Sequence, residues 1–177
     1  TGRDWWVARP IELPGTRPLR LEHGNIGSQL VSWPLGHIVK CLLFYPPDDS
    51  LEMRLEQDQL VREVYEACCQ SGHELLFEII LPAIKPRTDA NYLRTLERFF
   101  HLGIKPDWWK LPPLSADSWE TVEALVNKND KHCHGIVILG LDAPMDVLEA
   151  GFNQAAKSAM VKGFAVGRSI FGEPTKA

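Results

Sequence analysis

Lys110 sits in Pro106-Asp-Trp-Trp-Lys-Leu-Pro-Pro-Leu114, a lone cation at the centre of a short apolar run bounded by prolines. Such a run reads as a buried strand, and a buried strand rarely holds an ammonium that the protein does not use. Desolvation disfavours charged lysine and leaves a nucleophilic amine near neutral pH, the requirement of Schiff-base chemistry. Two other apolar runs carry one ionisable group each: Lys40 in His37-Ile-Val-Lys-Cys-Leu-Leu-Phe-Tyr45, and Glu78 in Glu74-Leu-Leu-Phe-Glu-Ile-Ile-Leu-Pro82. Two lysines and a carboxylate, in register on successive buried strands, are the equipment of lysine-dependent carbon–carbon bond cleavage.

Each group has a role in that chemistry. The Lys110 amine attacks a ketone, and loss of water gives an iminium that acts as an electron sink. Glu78 is placed to act as base and acid in those proton transfers. Lys40 lowers the proton affinity of Lys110 by like-charge repulsion and donates to a substrate hydroxyl. Gly140 and Gly167 end the last two strands and allow close backbone approach to a phosphate, to which Arg168 adds charge. The structural alternatives are a lysine that snorkels to solvent, a Lys40–Glu78 ion pair, and a turn at Gly167-Arg168. Arg9 and Glu12 either touch substrate from an early strand or pair with each other at the surface. The tryptophans (Trp5, Trp6, Trp33, Trp108, Trp109) read as packing residues.

These side chains need a frame, and the chain supplies an alternation of strands and helices. Strands are expected at 37–45, 75–81, 107–112, 135–140 and 163–167. Helices are expected at about 51–71, 88–102, 117–128 and 144–160, capped by residues such as Thr88 or Asp89 and Ser115 or Asp117. In the first helix Leu55, Leu60, Val61, Val64 and Cys68 fall near one face. Strands joined by helical crossovers form a parallel sheet, either open and doubly wound or closed as a (β/α)8 TIM barrel. No Gly-x-Gly-x-x-Gly follows a first strand, the ionisable residues lie on successive strands, and the last strand ends in Gly-Arg; all three favour the barrel. A barrel takes about 250 residues. The 177 residues here are therefore read as the carboxy-terminal part of one such domain, an incomplete barrel of about strands three to eight. The segments 7–13 and 18–22 offer one early strand, or two. Whatever completes the barrel is disordered, removed, or supplied by another chain, since open sheet edges are unfavourable.

Composition sets outer bounds. With 45% hydrophobic and 24% charged residues the chain is ordinary for a globular domain, and a net charge of −4 gives no reason to expect nucleic acid. No apolar run approaches the roughly 20 residues of a membrane span. The amino terminus has no signal pattern and no initiator methionine, which points to a start inside a longer protein. Cys41, Cys68, Cys69 and Cys133 show no disulfide framework and read as reduced thiols of a cytoplasmic protein. His132-Cys133-His134 alternates side chains over three residues and cannot close a metal site alone. No metal and no cofactor is expected.

The strands resemble the class I aldolases of the tagatose-bisphosphate type over roughly residues 37–172. Val39-Lys-Cys-Leu-Leu-Phe-Tyr-Pro-Pro-Asp-Asp49 is similar to that family's strand-four motif, and Leu76-Phe-Glu-Ile79 to its strand-five glutamate. Asp107-Trp-Trp-Lys110 is similar to its Schiff-base strand six, and Val166-Gly-Arg-Ser169 to its strand-eight phosphate turn. A narrower resemblance, carried by Ala8-Arg-Pro-Ile-Glu-Leu-Pro-Gly-Thr-Arg-Pro-Leu19 and Trp33-Pro34, is to the 5-dehydro-2-deoxyphosphogluconate aldolase domain fused to a sugar kinase in bacterial inositol breakdown. The resemblance implies cleavage of 6-phospho-5-dehydro-2-deoxy-D-gluconate to dihydroxyacetone phosphate and malonate semialdehyde. It also implies a fused or neighbouring kinase domain, with a homo-oligomer open. Pro112-Pro113 departs from the tagatose type. The competing readings are a non-catalytic sugar-phosphate-binding or regulatory domain of a carbohydrate kinase, and a metal-dependent aldolase using histidines.

Overall fold

The computed structural model describes residues 5–82, 87–141 and 143–165. Its elements run β1 (Val7–Pro10), α1 (Ile26–Leu30), β2 (His37–Phe44), α2 (Leu51–Ser71), β3 (Leu75–Ile80) and α3 (Asp89–His101), then β4 (Trp108–Leu111), α4 (Ala116–Asn129), β5 (Gly135–Leu139), α5 (Met145–Ala155) and β6 (Val161–Ala165). All six strands are parallel and lie in chain order β1-β2-β3-β4-β5-β6. A doubly wound sheet reverses its order at a switch point. This one does not, and it forms an open half-barrel, as an incomplete TIM barrel should.

Side-chain alternation along the strands separates two faces. The outer face carries Val39, Cys41, Leu43, Leu75, Phe77, Ile79, Trp109, Leu111, Ile136 and Ile138, which join the helices in one large core. Trp109 is the hub of its aromatic part. Its ring stacks on Phe99 at 6.1 Å and meets Phe100 edge-on at 5.8 Å, so β4 and α3 are locked together. The inner face has a small apolar layer of Ile38, Leu76 and Val137, with Trp108 packed beside it.

The helices begin where short polar side chains can satisfy free amides. Ser50, Thr88 and Ser115 cap α2, α3 and α4 by accepting from Met53, Asn91 and Ser118. Gly72 ends α2 in the left-handed conformation (φ 74°), where a Cβ would be strained. At Gly151 in α5 the constraint is contact: an added Cβ would lie 2.5 Å from Pro113 Cβ, so only glycine lets α5 seat against the β4–α4 connection.

The structure corrects several expectations. Pro18–Glu22 forms no strand; it folds back on β1's continuation through the isolated Glu12–Leu21 bridge, after a turn containing Pro14, Gly15 and Pro18. The short helix α1, capped by Asn25, lies where no helix is expected. On α2, Leu55 is exposed, while Gln57 and Asp58 are buried because they bind the Leu19 amide and the Tyr45 hydroxyl. Helix α5 ends at Ala155 rather than near 160. The hydroxyl of Ser158 and the amide of Ala159 bind Glu123 on α4, and Met160 already starts the β6 ladder through its carbonyl. Strand β6 therefore lies at 161–165; residues 166 and 167 of the expected strand are outside the described residues.

Trp109→Ala should lower unfolding free energy by about 3–5 kcal/mol, read as a lower urea midpoint. Trp5→Ala, at a residue 72% exposed, should leave that midpoint almost unchanged. Equal effects would remove Trp109 from its place in the core.

Candidate functional site

Register brings the three predicted ionisable residues to the inner face, away from the helices. Glu78 on β3 lies directly opposite Lys110 on β4. Lys40 on β2 is not in register with them: it pairs with Leu76, one pleat nearer the amino ends, while Leu42 lies opposite Glu78. Its long side chain closes the gap. Lys40 Nζ is 3.0 Å from Glu78 Oε2, and Lys110 Nζ is 3.1 Å from Glu78 Oε1. One carboxylate thus uses a separate oxygen for each lysine. The side chains are 9% (Glu78), 17% (Lys40) and 16% (Lys110) exposed, so the charges meet where water screens them little.

A fourth member is Glu12, which the sequence offers only as a substrate contact from an early strand or a surface partner of Arg9. It follows β1, is 8% exposed, and places Oε1 2.5 Å from Lys40 Nζ. It does not pair with Arg9, whose guanidinium lies 3.9 Å above the Trp33 ring. The signal was the period of two: β1 runs beside β2 with Pro10 opposite Lys40, so Glu12, two residues on, shares Lys40's face. The result is a row of alternating charge, Glu12–Lys40–Glu78–Lys110. Burial is the largest influence on Lys40 and lowers its proton affinity. The charge of Glu78 and the hydrogen bond and charge of Glu12 together outweigh it, so its pKa stands above the ordinary lysine value. Lys40 is a fixed cation.

Gly140 is buried just past β5 and borders a cavity of about 200 Å³ shared with Arg87, Tyr92, Pro112 and Leu141. Leu141 adopts a left-handed φ of 50°, unusual for a branched residue. Gly167 and Arg168, the other expected phosphate contacts, lie outside the described residues. The acidic pair after β2 is engaged in ion pairs, Asp49 with Arg17 and Asp48 with Arg94. Another cavity, of about 310 Å³, opens at the amino ends of β3 and β4 beside Cys69, Lys105 and Asp107, away from the lysines. Burial raises the Asp107 carboxyl there, against the Leu75 amide that binds it. Its chemistry is separate from the inner row.

All four cysteines are free, and burial pushes the thiols of Cys68 and Cys133 up to about 12. His134 faces Glu74 and Trp108 rather than His132. Among the described residues no three His, Cys, Asp or Glu side chains converge as a metal site requires. No helix among them is long and apolar enough to cross a membrane.

Six parallel strands in chain order, with helices on one face and a charged row on the other, define an α/β protein of the half-barrel class. The chain belongs to the DUF2090 family, described as an uncharacterized protein conserved in bacteria, whose model matches residues 1–177. No curated protein matches it. Among solved structures it is similar to Cgl0159 from Corynebacterium glutamicum, a structural genomics target, with a TM-score of 0.68 and 15% identity over 96% of this chain. The chain spans 58% of the length of that protein, and the likeness is one of fold.

Lys40→Met leaves Glu12 and Glu78 without their shared cation and should destabilise the fold by about 3–5 kcal/mol near neutral pH. The folded pKa of Lys40 is raised, so its stabilising contribution is complete below about pH 10.5 and is lost as pH rises through the higher folded value. Urea midpoints measured across that range should fall in the native chain. A Lys40→Met chain that shows the same alkaline fall would assign it to other groups.

Proposed function

We propose that this domain is a class I aldolase in which Lys110 forms the Schiff base. The observation that carries this reading is Glu78, a buried carboxylate holding one oxygen 3.1 Å from the Lys110 amine and the other 3.0 Å from a second lysine. A general base must lie within hydrogen-bond reach of the proton it takes, and Glu78 meets that condition for Lys110. The resemblance of the strand motifs to tagatose-bisphosphate-type aldolases supports the same assignment.

The substrate proposed is 6-phospho-5-dehydro-2-deoxy-D-gluconate. Glu78 takes a proton from Lys110, and the free amine attacks the C5 ketone to give a carbinolamine. Glu78 returns the proton to the departing hydroxyl, water leaves, and an iminium remains. Loss of the C3 hydroxyl proton to Glu78 breaks the C3–C4 bond, releasing malonate semialdehyde; the electron pair moves into an enamine. Protonation at C4 and hydrolysis then release dihydroxyacetone phosphate and restore Lys110. Lys40, a fixed cation, donates to a substrate hydroxyl. In this reading Gly140, with Gly167 and Arg168, receives the phosphate, and a fused or neighbouring sugar kinase supplies the phosphorylated keto sugar.

Incubation of the full-length protein with the keto-sugar phosphate and borohydride should give a stable adduct that peptide mapping places on Lys110. Lys110→Ala should abolish adduct and cleavage, and Lys40→Ala should slow cleavage while still allowing trapping. An adduct on Lys40 would reverse the two lysines. A chain that binds the sugar phosphate but never forms an adduct or cleaves it would favour a non-catalytic, sugar-phosphate-binding domain of a kinase.

A further inference from the structure

We propose that Glu12 is a positioning residue for this chemistry: it is the counter-ion that keeps Lys40 paired while Glu78 is protonated. The inference rests on the Schiff-base reading above. The geometry holds Glu12 against Lys40. Its Oε1 holds Lys40 at 2.5 Å and its Oε2 accepts from the Ile11 amide at 3.3 Å. The backbone around it is clamped by Leu13 N–H to Arg20 C=O (2.8 Å) and Glu22 N–H to Ile11 C=O (2.9 Å). Both carboxylate oxygens are occupied and both flanking residues are tied down.

Charge balance gives Glu12 this role. With Glu12 and Glu78 ionised and both lysines protonated, the row is neutral. Schiff-base formation begins when Lys110 passes a proton to Glu78, leaving both uncharged. Lys40 would then be a buried ammonium without a counter-charge, a costly state. Glu12 prevents it, because Glu12⁻ and Lys40⁺ remain a pair. Proton transfer between Lys110 and Glu78 therefore changes the net charge of neither half of the row. Glu12 has a second effect. An ammonium has three donors, and the described residues take two, one through Glu12 and one through Glu78. Without Glu12, Lys40 would collapse onto Glu78 alone and draw it from Lys110. The groups facing Lys40 are Glu12 from the end of β1 and Glu78 from β3, with Lys110 on β4 behind Glu78.

The test uses Glu12→Gln and Glu12→Asp in the full chain, with two readouts. The first needs no turnover: methylation of Lys40 by formaldehyde and cyanoborohydride, followed by peptide mapping across pH. Removing a carboxylate that favours the ammonium should move the Lys40 midpoint to lower pH in Glu12→Gln, and Glu12→Asp should restore part of the shift. The second is catalysis. Glu12→Gln should lower kcat about 10- to 100-fold with little change in KM, and should have no further effect in a Lys40→Met background, because Glu12 acts through Lys40. An unmoved Lys40 midpoint overturns the proposal whatever the activity, as does an equal loss of kcat with or without Lys40. A shifted midpoint in a chain whose wild type neither cleaves nor traps the sugar phosphate would instead overturn the aldolase reading and leave Glu12 as the counter-ion of Lys40.

Discussion

Glu78 divides its two oxygens between two ammonium groups inside a largely apolar sheet, and much of the surrounding structure follows from that constraint. Buried charges are tolerable only when each has a partner at hydrogen-bonding distance. The partners here come from the end of β1 and from β2, β3 and β4, so four successive segments must hold their register together. A slip of one residue in any of these strands would turn its charged side chain into the helix-packed core. The aromatic packing of Trp109, Phe99 and Phe100 on the outer face resists such a slip from the other side of the sheet.

Most of the order of elements could be read from the sequence because β2, β3 and β5 are short apolar runs and α2, α3 and α4 each open on a capping residue. Lys40, Glu78 and Lys110 were visible for the same reason, as single ionisable groups interrupting apolar runs. Glu12 was legible only as a contact to substrate or a surface partner of Arg9, because nothing local marks its pairing with Lys40, 28 residues away. The ends of elements were also hidden. Asn153-Gln-Ala-Ala-Lys-Ser-Ala-Met160 has the propensity of a helix, but Glu123, far along the chain, takes Ser158 and the Ala159 amide out of it. Leu55 fits a helical apolar stripe, yet the packing places Gln57 and Asp58 inside. In both cases a long-range polar contact outweighed a local preference, which no window of neighbouring residues can reveal.

Fold and site carry different weights of argument. The half-barrel and its likeness to Cgl0159 at 15% identity establish an arrangement of strands. That arrangement hosts many chemistries. The amine chemistry proposed above rests instead on the choice of side chains on the inner face, two lysines and two carboxylates in one row. Ile38, Leu76 and Val137 form a small apolar layer beside them on that face.

Beneath that layer, Trp6, just before β1, meets Trp108, the first residue of β4, edge to face with ring centroids 5.3 Å apart. Three strand spacings along a flat sheet would be about 14 Å. The curl of the half-barrel brings the two indoles together, and their contact braces that curvature across the trough. Curvature in turn decides how near the end of β1 comes to β3, and hence whether Glu12 and Glu78 can grip the same ammonium. A residue outside every strand, at the opposite end of the sheet, thereby helps to set the spacing of the charges.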